Sequence, residues 1–387
     1  MSIDKKNQEY EGFELGPIRP PSEAESLLLR VTRNCPWNQC KFCALYKGEK
    51  FSIRPLEHVL KDIDMLKYYI DAIIKIRENS PENVKEEMRK LSSTVTEEEN
   101  WAYYSAITWL EGGMKSIFLQ DANSMIIKPE DMITILKYVR KNFPEVERIT
   151  SYARSQTVAR ISDEDLLKIR EAGLNRIHIG MESSADVVLD FIKKGVDKKT
   201  HIIAGQKVKK AGIELSEYFM PGLGGAAYSK ENALETADAI NQINPDFIRL
   251  RTLAIPDKAP LAIDYREGNF KKLGDVKVIE ELLLFIENLQ GITSAVKSDH
   301  ILNLIPEVEG NLPEDKEKIV SVIKKFLNLS EEDKIVYMIG RRTGSIRGIY
   351  DMDYYNLTEK AREIVARNNI TSENVDEIVG ELMKRFI

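Results

Sequence analysis

The sequence predicts an α/β fold in which six strand–helix units form a partial, TIM-like (β/α)6 barrel. Short apolar runs alternate with longer stretches of helical spacing between residues 26 and 255, and such alternation implies a parallel sheet. No seventh or eighth unit follows, so the barrel is expected to remain open. The predicted strands are residues 26–32, 116–120, 148–152, 176–180, 213–219 and 247–253.

The barrel accounts for only part of the chain. Residues 1–25 are expected to form an irregular leader, because several prolines interrupt regular structure there. Residues 26–256 form the predicted barrel, which carries a helical insertion at about residues 55–111, where apolar positions recur at helical spacing. Residues 257–387 have mainly helical patterns and are predicted to form a C-terminal region.

The composition is that of an ordinary globular protein. Of the 387 residues, 43% are hydrophobic and 30% are charged, and the formal net charge is -6. Binding of nucleic acid normally needs an excess of Lys and Arg for the phosphates, so this balance argues against a nucleic-acid partner. Neither a signal peptide nor an apolar run of the about 20 residues that span a bilayer is present. The sequence therefore predicts a cytoplasmic protein without a transmembrane segment.

The three cysteines of the chain lie within nine residues, at Cys35, Cys40 and Cys43. Clustered cysteines in a cytoplasmic protein indicate a metal site or catalysis rather than separate buried thiols. A structural zinc ion needs a fourth ligand, and the nearest histidine is His58. An electron-carrying ferredoxin centre needs a fourth cysteine, which the chain lacks. A [4Fe–4S] cluster on three thiolates leaves one iron open, as in catalytic metal centres.

The cysteine loop resembles that of the radical S-adenosylmethionine (radical SAM) enzymes. In that family the loop follows the first barrel strand and an aromatic residue, here Phe42, precedes the last cysteine. The Cys-x4-Cys-x2-Cys spacing has one residue more than the common Cys-x3-Cys-x2-Cys form. Residues 179–183 also resemble a motif of anaerobic coproporphyrinogen oxidase and the Elongator catalytic subunit. That resemblance implies that Glu182 binds the ribose hydroxyls and that Lys194, or Lys193, binds the methionine carboxylate.

Further cofactor contacts are expected at the C-terminal ends of the strands, where the loops of a parallel barrel meet. Polar residues after the second strand offer acceptors to an ammonium group, with a plain Asx turn as the alternative. Glu217 lies in mid-strand, where an unpaired carboxylate needs a ligand or an Arg partner. Gly222 lets the backbone approach a flat ring. The expected cofactor-binding residues are Phe42, Gln120, Asp121, Asn123, Ser124, Glu182, Lys194, Glu217, Gly222, Arg249 and Arg251.

Cationic residues and one histidine complete the candidate site. Arg249 and Arg251 alternate with apolar residues, so we expect both on one face, binding an anion or pairing with carboxylates such as Glu182 or Glu217. His300 is a candidate catalytic proton donor or extra ligand, with a helix cap as the alternative. Three arginines near the C-terminus form either an anion-binding loop or a solvated loop, namely Arg341, Arg342 and Arg347.

The resemblance implies an enzyme whose cofactors are a [4Fe–4S] cluster and S-adenosylmethionine. Reductive cleavage of S-adenosylmethionine would give a 5′-deoxyadenosyl radical that abstracts hydrogen from a small-molecule or lipid-like substrate. This oxidoreductase-type chemistry is anaerobic and needs an electron donor, a ferredoxin or a flavodoxin. From the residues alone, a zinc-stabilised binding module and an iron–sulfur redox sensor or scaffold remain open as alternatives.

Overall fold

The computed structural model describes residues 9–386, which fall into two compact units. The first unit comprises residues 9–36, 48–178 and 210–214, and the second comprises 37–47, 179–209 and 215–386. Residues 1–8 of the predicted leader lie outside the described residues. The region boundaries expected at residues 25 and 256 stay predictions.

The strands are short, and most of them pair in parallel. In the first unit β1, β4 and β5 lie side by side in parallel, and β2 and β3 form a separate antiparallel pair. In the second unit β7, β8 and β9 run parallel, and β10 is antiparallel to β9. The bounds are β1 (Leu27–Arg30), β2 (Thr32–Arg33), β3 (Ser52–Ile53), β4 (Ser116–Gln120), β5 (Arg148–Ala153), β6 (Arg176–Glu182), β7 (Glu214–Phe219), β8 (Phe247–Leu250), β9 (Ala295–Lys297) and β10 (Gly310–Asn311).

Helices of the first unit include the whole of the predicted insertion. Three of them, α1 to α3, follow β3 without an intervening strand, and the buried residues of α1 and α3 recur at helical spacing. Helices α4 to α6 follow β4 and β5. The bounds are α1 (Leu56–Asn79), α2 (Val84–Thr94), α3 (Asn100–Glu111), α4 (Pro129–Asn142), α5 (Ser155–Val158) and α6 (Asp163–Glu171), with 3-10 turns at Pro21–Glu23 and Ser124–Ile126.

The second unit carries the helices after β6 and those of the C-terminal region. They are α7 (Asp186–Phe191), α8 (Lys198–Lys210), α9 (Ser229–Ile243), α10 (Leu261–Arg266), α11 (Asp275–Glu287), α12 (Lys316–Leu327), α13 (Glu331–Thr343), α14 (Tyr355–Arg367) and α15 (Val375–Met383), with 3-10 turns at Ile349–Asp353 and Lys384–Phe386. Within residues 9–386, no helix is both long enough and apolar enough to cross a membrane.

The predicted α/β class is confirmed, and the six predicted strands correspond to β1 and β4 to β8. Strand interiors are almost completely buried, which is why each appears in the sequence as a short apolar run. The C-terminal region is mainly helical, but the expectation that no strand follows the sixth unit needs one correction, because β9 pairs with β8 in parallel. The three residues of β9 and the two of β10 are too few to show a strand pattern in the sequence.

Two arginines near the C-terminus, Arg341 and Arg342, lie within α13 and donate hydrogen bonds to other parts of that region. Arg342 is buried, and its Nη2 donates to both carboxylate oxygens of Asp275 at 3.0 and 3.1 Å. Its Nη1 donates to the carbonyl of Leu302 at 2.7 Å. The Nε of Arg341 donates to the carbonyl of Leu304 at 2.9 Å. Neither the anion-binding loop nor the solvated loop expected from the sequence describes these two arginines.

Replacement of Arg342 by Leu should destabilise the protein strongly. The substitution leaves Asp275 buried without its cation, and breaking a buried ion pair in this way costs about 3–5 kcal/mol. We expect a clear decrease in the urea midpoint, measured by circular dichroism. Lys90→Ala is the control, because its ion pairs with Glu86 and Glu87 are solvent-exposed and should leave the midpoint unchanged. An Arg342→Leu midpoint equal to that of the wild type would contradict the structural role.

Candidate cofactor site

The cysteine loop follows β2 and has little regular structure. The three cysteines are not in disulfide bonds and are partly buried, with Cys35 in the first unit and Cys40 and Cys43 in the second. Over residues 9–386, no three or more His, Cys, Asp or Glu side chains are grouped so that they could hold a metal ion. Three soft thiolates suit iron–sulfur chemistry, and their role as ligands stays a prediction.

In the first unit, a buried carboxylate fixes the start of the cysteine loop. Asp121 follows β4 and is fully buried. Its Oδ2 accepts from the backbone N–H of Asn34 at 3.1 Å and from Nη2 of Arg30 at 2.9 Å. Asn34 directly precedes Cys35, so Asp121 positions the backbone of the first cysteine. This contact gives Asp121 a positioning role, and the ammonium contact expected from the sequence stays a prediction.

In the second unit, the residues after α7 hold the other half of the loop. The indole Nε1 of Trp37 donates to the carbonyl of Lys193 at 2.7 Å. Its ring lies against Gly195, where an added Cβ would be only 2.2 Å from the ring. Gly195 has φ +68°, so both its backbone conformation and the indole require glycine here. This contact fixes the segment between the first two cysteines.

Lys41 and Phe42 fix the segment between the last two cysteines. The N–H of Lys41 donates to the carbonyl of Ile192, and its carbonyl accepts from Leu261, both at 2.8 Å. The Lys41 ammonium lies 3.1 Å from a carboxylate oxygen of Asp264 in α10. Phe42, the expected aromatic, packs against the buried apolar cluster of this unit. Sequence reasoning missed Trp37 and Asp264, although a tryptophan within a cysteine loop was a signal for the first.

The other polar residues expected at the end of β4 are engaged within the first unit. The Gln120 amide accepts from Gly16 at 2.8 Å and donates to the carbonyls of Gly16 and Ile18. Asn123 donates to Thr157 Oγ1 at 2.8 Å. Ser124 Oγ donates to the carbonyl of Leu119 at 3.1 Å. Each of these side chains thus has a partner within the first unit, and their contact with an ammonium group stays a prediction.

At the end of β6, in the second unit, two acids and a lysine come together. Glu182 Oε1 lies 3.6 Å from Lys194 Nζ, and Lys194 Nζ lies 5.5 Å from the centre of the Phe42 ring. A Cβ at Gly180 would be 2.6 Å from Glu182 Oε1, so glycine leaves room for this pair. Glu182 itself has φ +68°, a conformation that costs about 1–3 kcal/mol and is concentrated at functional sites.

Glu217 completes this carboxylate cluster of Glu182, Lys194 and Glu217. It is fully buried in β7, and among residues 9–386 neither of its carboxylate oxygens has a hydrogen-bond partner; Glu182 Oε2 also lacks one. Burial raises the pKa of Glu217 well above its usual range, the charge of Glu182 raises it further, and Lys194 acts in the opposite direction. Burial thus favours the protonated form of Glu217, which presents an unsatisfied carboxyl group.

Gly222 does not offer an open face for an aromatic ring. It adopts φ +87°, and its N–H donates to Glu281 Oε1 at 2.9 Å. An added Cβ would meet Val278 of α11 at 3.3 Å. Gly222 thus forms a turn against α11, and its expected contact with a flat ring stays a prediction. Glu281 also accepts from Ser229 and Asn232, and sequence reasoning gave no signal for this buried acid.

The two arginines of the β8 segment do not pair with Glu182 or Glu217. Arg249 Nε donates to Ser216 Oγ at 3.1 Å, and its Nη1 pairs with Asp299. Arg251 lies 5.1 Å from the centre of the Tyr218 ring. Successive side chains of a strand point to opposite faces, so Ser216 and Tyr218 share one face of β7 and Glu217 lies on the other. The expected pairing was wrong because the arginines share the face of Ser216 and Tyr218.

His300 is a poor candidate for a charged acid. Burial lowers its pKa to about 4, Arg251 lowers it further, and Asp299 acts in the opposite direction. Its Nδ1 accepts from the N–H of Leu302 at 3.3 Å. The imidazole is therefore neutral at pH 7, and a catalytic role for His300 stays a prediction.

Comparison with known proteins gives one family match and several distant relatives. The family model of the Radical SAM superfamily matches residues 29–237, more than half of the chain. The tRNA uridine(34) acetyltransferase of Methanocaldococcus infernus is 22% identical over 149 residues, 36% of this chain and 28% of that protein. The chain thus spans less than a third of the length of the curated relatives it matches.

Two solved structures have low overall similarity to the chain. Coproporphyrinogen III oxidase from Escherichia coli has 12% identity and a TM-score of 0.44, covering 81% of this chain and 73% of that one. Archaeal Elp3 from Methanocaldococcus infernus, with an N-terminal deletion, has 16% identity and a TM-score of 0.42, covering 58% of each chain.

Replacement of Gly195 by Ala should impair iron loading without unfolding the protein. The new methyl group displaces the Trp37 indole, and with it the segment that carries Cys40. We expect at least about a twofold decrease in iron and sulfide per chain after anaerobic reconstitution. Gly268→Ala is the matched control, since Gly268 has φ +78° and nothing within 4 Å of an added Cβ; it has the same backbone cost of about 1 kcal/mol. Equal iron contents in the two variants would refute the anchoring role.

Proposed function

The chain belongs to the radical SAM superfamily, and we propose that it is an enzyme that uses the cofactors of that family on a small-molecule substrate. Those cofactors are a [4Fe–4S] cluster and S-adenosylmethionine. When bound, they supply the reductive cleavage of S-adenosylmethionine and a 5′-deoxyadenosyl radical that abstracts hydrogen from the substrate. The protein supplies binding, orientation and exclusion of water.

The thiols of Cys35, Cys40 and Cys43 are the proposed cluster ligands. Three cysteines would leave one iron of the cluster available to S-adenosylmethionine. Asp121 positions the backbone before the first thiol, and the Trp37 and Lys41 contacts position the segments around the other two. These residues act on the thiols through the backbone and do not contact the reacting atoms.

The carboxylate cluster is the proposed binding site for the polar groups of S-adenosylmethionine. The observation that carries this proposal is the fully buried carboxyl group of Glu217, which lacks a hydrogen-bond partner within residues 9–386. A ligand that supplies hydroxyl groups or an acceptor would satisfy Glu217 and the remaining Glu182 oxygen. Lys194 is the proposed partner of the methionine carboxylate.

The substrate, the electron donor and the location belong to the proposal as well. We propose a ferredoxin or a flavodoxin as the electron donor, anaerobic oxidoreductase-type chemistry and a cytoplasmic location. A small molecule is favoured over tRNA because the net charge is -6 and phosphate backbones require clustered cations. The relatives named for tRNA acetylation share less than a third of their length with this chain, so their substrate is not transferred.

The direct test of the proposed function is the formation of 5′-deoxyadenosine. Anaerobically purified, iron-reconstituted protein is reduced with dithionite, given S-adenosylmethionine and assayed by chromatography. We expect product from the wild type and none above background from Cys40→Ala. Leu45→Ala, an exposed change in the same loop, should retain the activity. A colourless wild-type protein with stoichiometric zinc and no product would refute the proposal and favour a zinc-stabilised binding module.

Replacement of Glu217 by Leu should stabilise the protein and weaken cofactor binding. Removing a buried, unsatisfied carboxyl group is expected to raise the free energy of unfolding by about 1–3 kcal/mol. The pKa of Glu217 is raised in the folded state, so burying this group costs least below its unfolded pKa and costs more as the pH rises toward its folded pKa. The advantage of the variant should therefore grow from about pH 5 to pH 8, while calorimetry shows at least about tenfold weaker binding of S-adenosylmethionine.

Glu281→Leu is the matched control for this substitution. Glu281 is also buried, but it accepts from Gly222, Ser229 and Asn232 at 2.5 to 2.9 Å. Its removal leaves three donors unpaired and should lower the free energy of unfolding. If Glu217→Leu also destabilised the protein, or bound S-adenosylmethionine like the wild type, a ligand-binding role for Glu217 would be excluded.

A further inference from the structure

A groove lies in the first unit at the C-terminal ends of β4 and β5. Its walls are the loops that follow these two strands, and it reaches Pro36, the residue after Cys35. Its volume is about 540 Å³, within the range of about 300–1,000 Å³ that is usual for ligand sites. We name it the Arg160 groove and define it by its lining residues Pro36, Met125, Ile127, Arg154, Arg160 and Ile161.

The Arg160 groove combines an apolar lining with cationic groups. Met125 and Ile127 are nearly buried residues of the wall, and Ile161 adds further apolar surface. Arg160 is exposed, and its guanidinium has no hydrogen bond or ion pair to any of residues 9–386. The fork of N–H donors on such a group binds carboxylates and phosphates in a bidentate manner.

The one acidic residue in the groove lining is already engaged. The Asp165 carboxylate accepts from Ser162 Oγ at 2.7 Å, and the Asp165 N–H donates back to that hydroxyl at 3.0 Å. This pair caps the start of α6. The lining therefore has two cations, Arg154 and Arg160, against one capping carboxylate. A positive groove on a chain of net charge -6 selects anionic ligands locally.

Asn123 makes the groove rigid from behind. It is fully buried, its Nδ2 donates to Thr157 Oγ1 at 2.8 Å, and its Oδ1 accepts from the N–H of Arg154 at 3.0 Å. One side chain thus ties the loop after β4 to the loop after β5. The walls are fixed before a ligand arrives, which reduces the entropy cost of binding.

We propose that the Arg160 groove binds the substrate as an amphipathic anion, a molecule with a carboxylate or phosphate head and an apolar body. The head contacts Arg160, and the apolar body lies along Met125, Ile127 and Ile161. This inference rests on the proposed function, since the groove borders the cysteine loop at Pro36. The inference restricts the proposed small-molecule substrate to anions that carry an apolar, lipid-like body.

The test compares three six-carbon probes with different head groups. Hexyl phosphate, hexanoate and hexanol are titrated by calorimetry into anaerobically reconstituted protein without S-adenosylmethionine or reductant. We expect both anions to bind at least about tenfold more tightly than hexanol, with the stronger anion identifying the head group. Arg160→Gln should weaken the anions about tenfold. Arg89→Gln, which removes an exposed arginine of α2, should leave their affinity unchanged.

Two results would overturn the inference. Hexanol binding as tightly as hexanoate, or anion affinities unaffected by Arg160→Gln, would exclude an anion site in this groove. Tighter binding of bulk tRNA than of hexyl phosphate, lost in Arg160→Gln, would assign the groove to nucleic acid instead. Because the titrations need no radical chemistry, a failure to form 5′-deoxyadenosine with intact anion binding would refute the proposed function alone. The reverse pattern would refute the groove assignment alone.

Discussion

The irregular loop that carries the three cysteines depends on hydrogen bonds from residues far along the chain. Buried or partly buried backbone groups need partners, and a loop without regular structure cannot supply them itself. Asp121 provides one acceptor at the start of the loop, and the carbonyls of Ile192 and Lys193 provide two more for Lys41 and Trp37. These contacts fix the backbone of the loop, and the backbone in turn determines where the three thiols lie.

The carboxylate cluster shows the opposite condition, a polar group left without a partner. Glu281 is as inaccessible as Glu217, yet three donors satisfy it, whereas Glu217 has none among residues 9–386. An unsatisfied buried carboxyl costs about 1–3 kcal/mol, a sizeable fraction of a typical stability of about 5–15 kcal/mol. Glu182 adds a strained backbone beside it. These two costs fall close together, with Glu182 at the end of β6 and Glu217 within β7, and the proposed ligand would offset them.

The sequence predicted features that depend on neighbouring residues, but it did not predict contacts between residues far apart in the chain. The strands β4 to β8 were predictable, because buried parallel strands leave short apolar runs between helical stretches. The role of Gln120 was not predictable, since its partners lie about a hundred positions away in the leader. Arg342 and Asp275 are 67 positions apart, so a cluster of arginines could not reveal its buried carboxylate.

Strand faces set a second limit on what the sequence could predict. Alternation places Arg249 and Arg251 on one face, and this expectation agrees with their contacts to Ser216 and Tyr218. The sequence does not say which face of β7 they meet. Because Glu217 lies between Ser216 and Tyr218, it belongs to the other face. Tyr218 is the register partner of Arg249, so Arg249 lies on the Tyr218 face of β7. This placement excludes the expected ion pair between Arg249 and Glu217.

Lys194 links the cysteine loop to the carboxylate cluster within the second unit. Its two neighbours, Lys193 and Gly195, both have positive φ angles, and a left-handed conformation at a lysine costs about 1–2 kcal/mol. Both neighbours contact Trp37. The carbonyl of Lys193 accepts from the indole N–H, and the indole ring lies against Gly195, where a side chain would clash. A shift of the indole must therefore move the backbone of Lys194, and with it the ammonium beside Glu182 and the Phe42 ring. The Trp37 indole therefore couples the backbone of the cysteine loop to the position of the Lys194 ammonium.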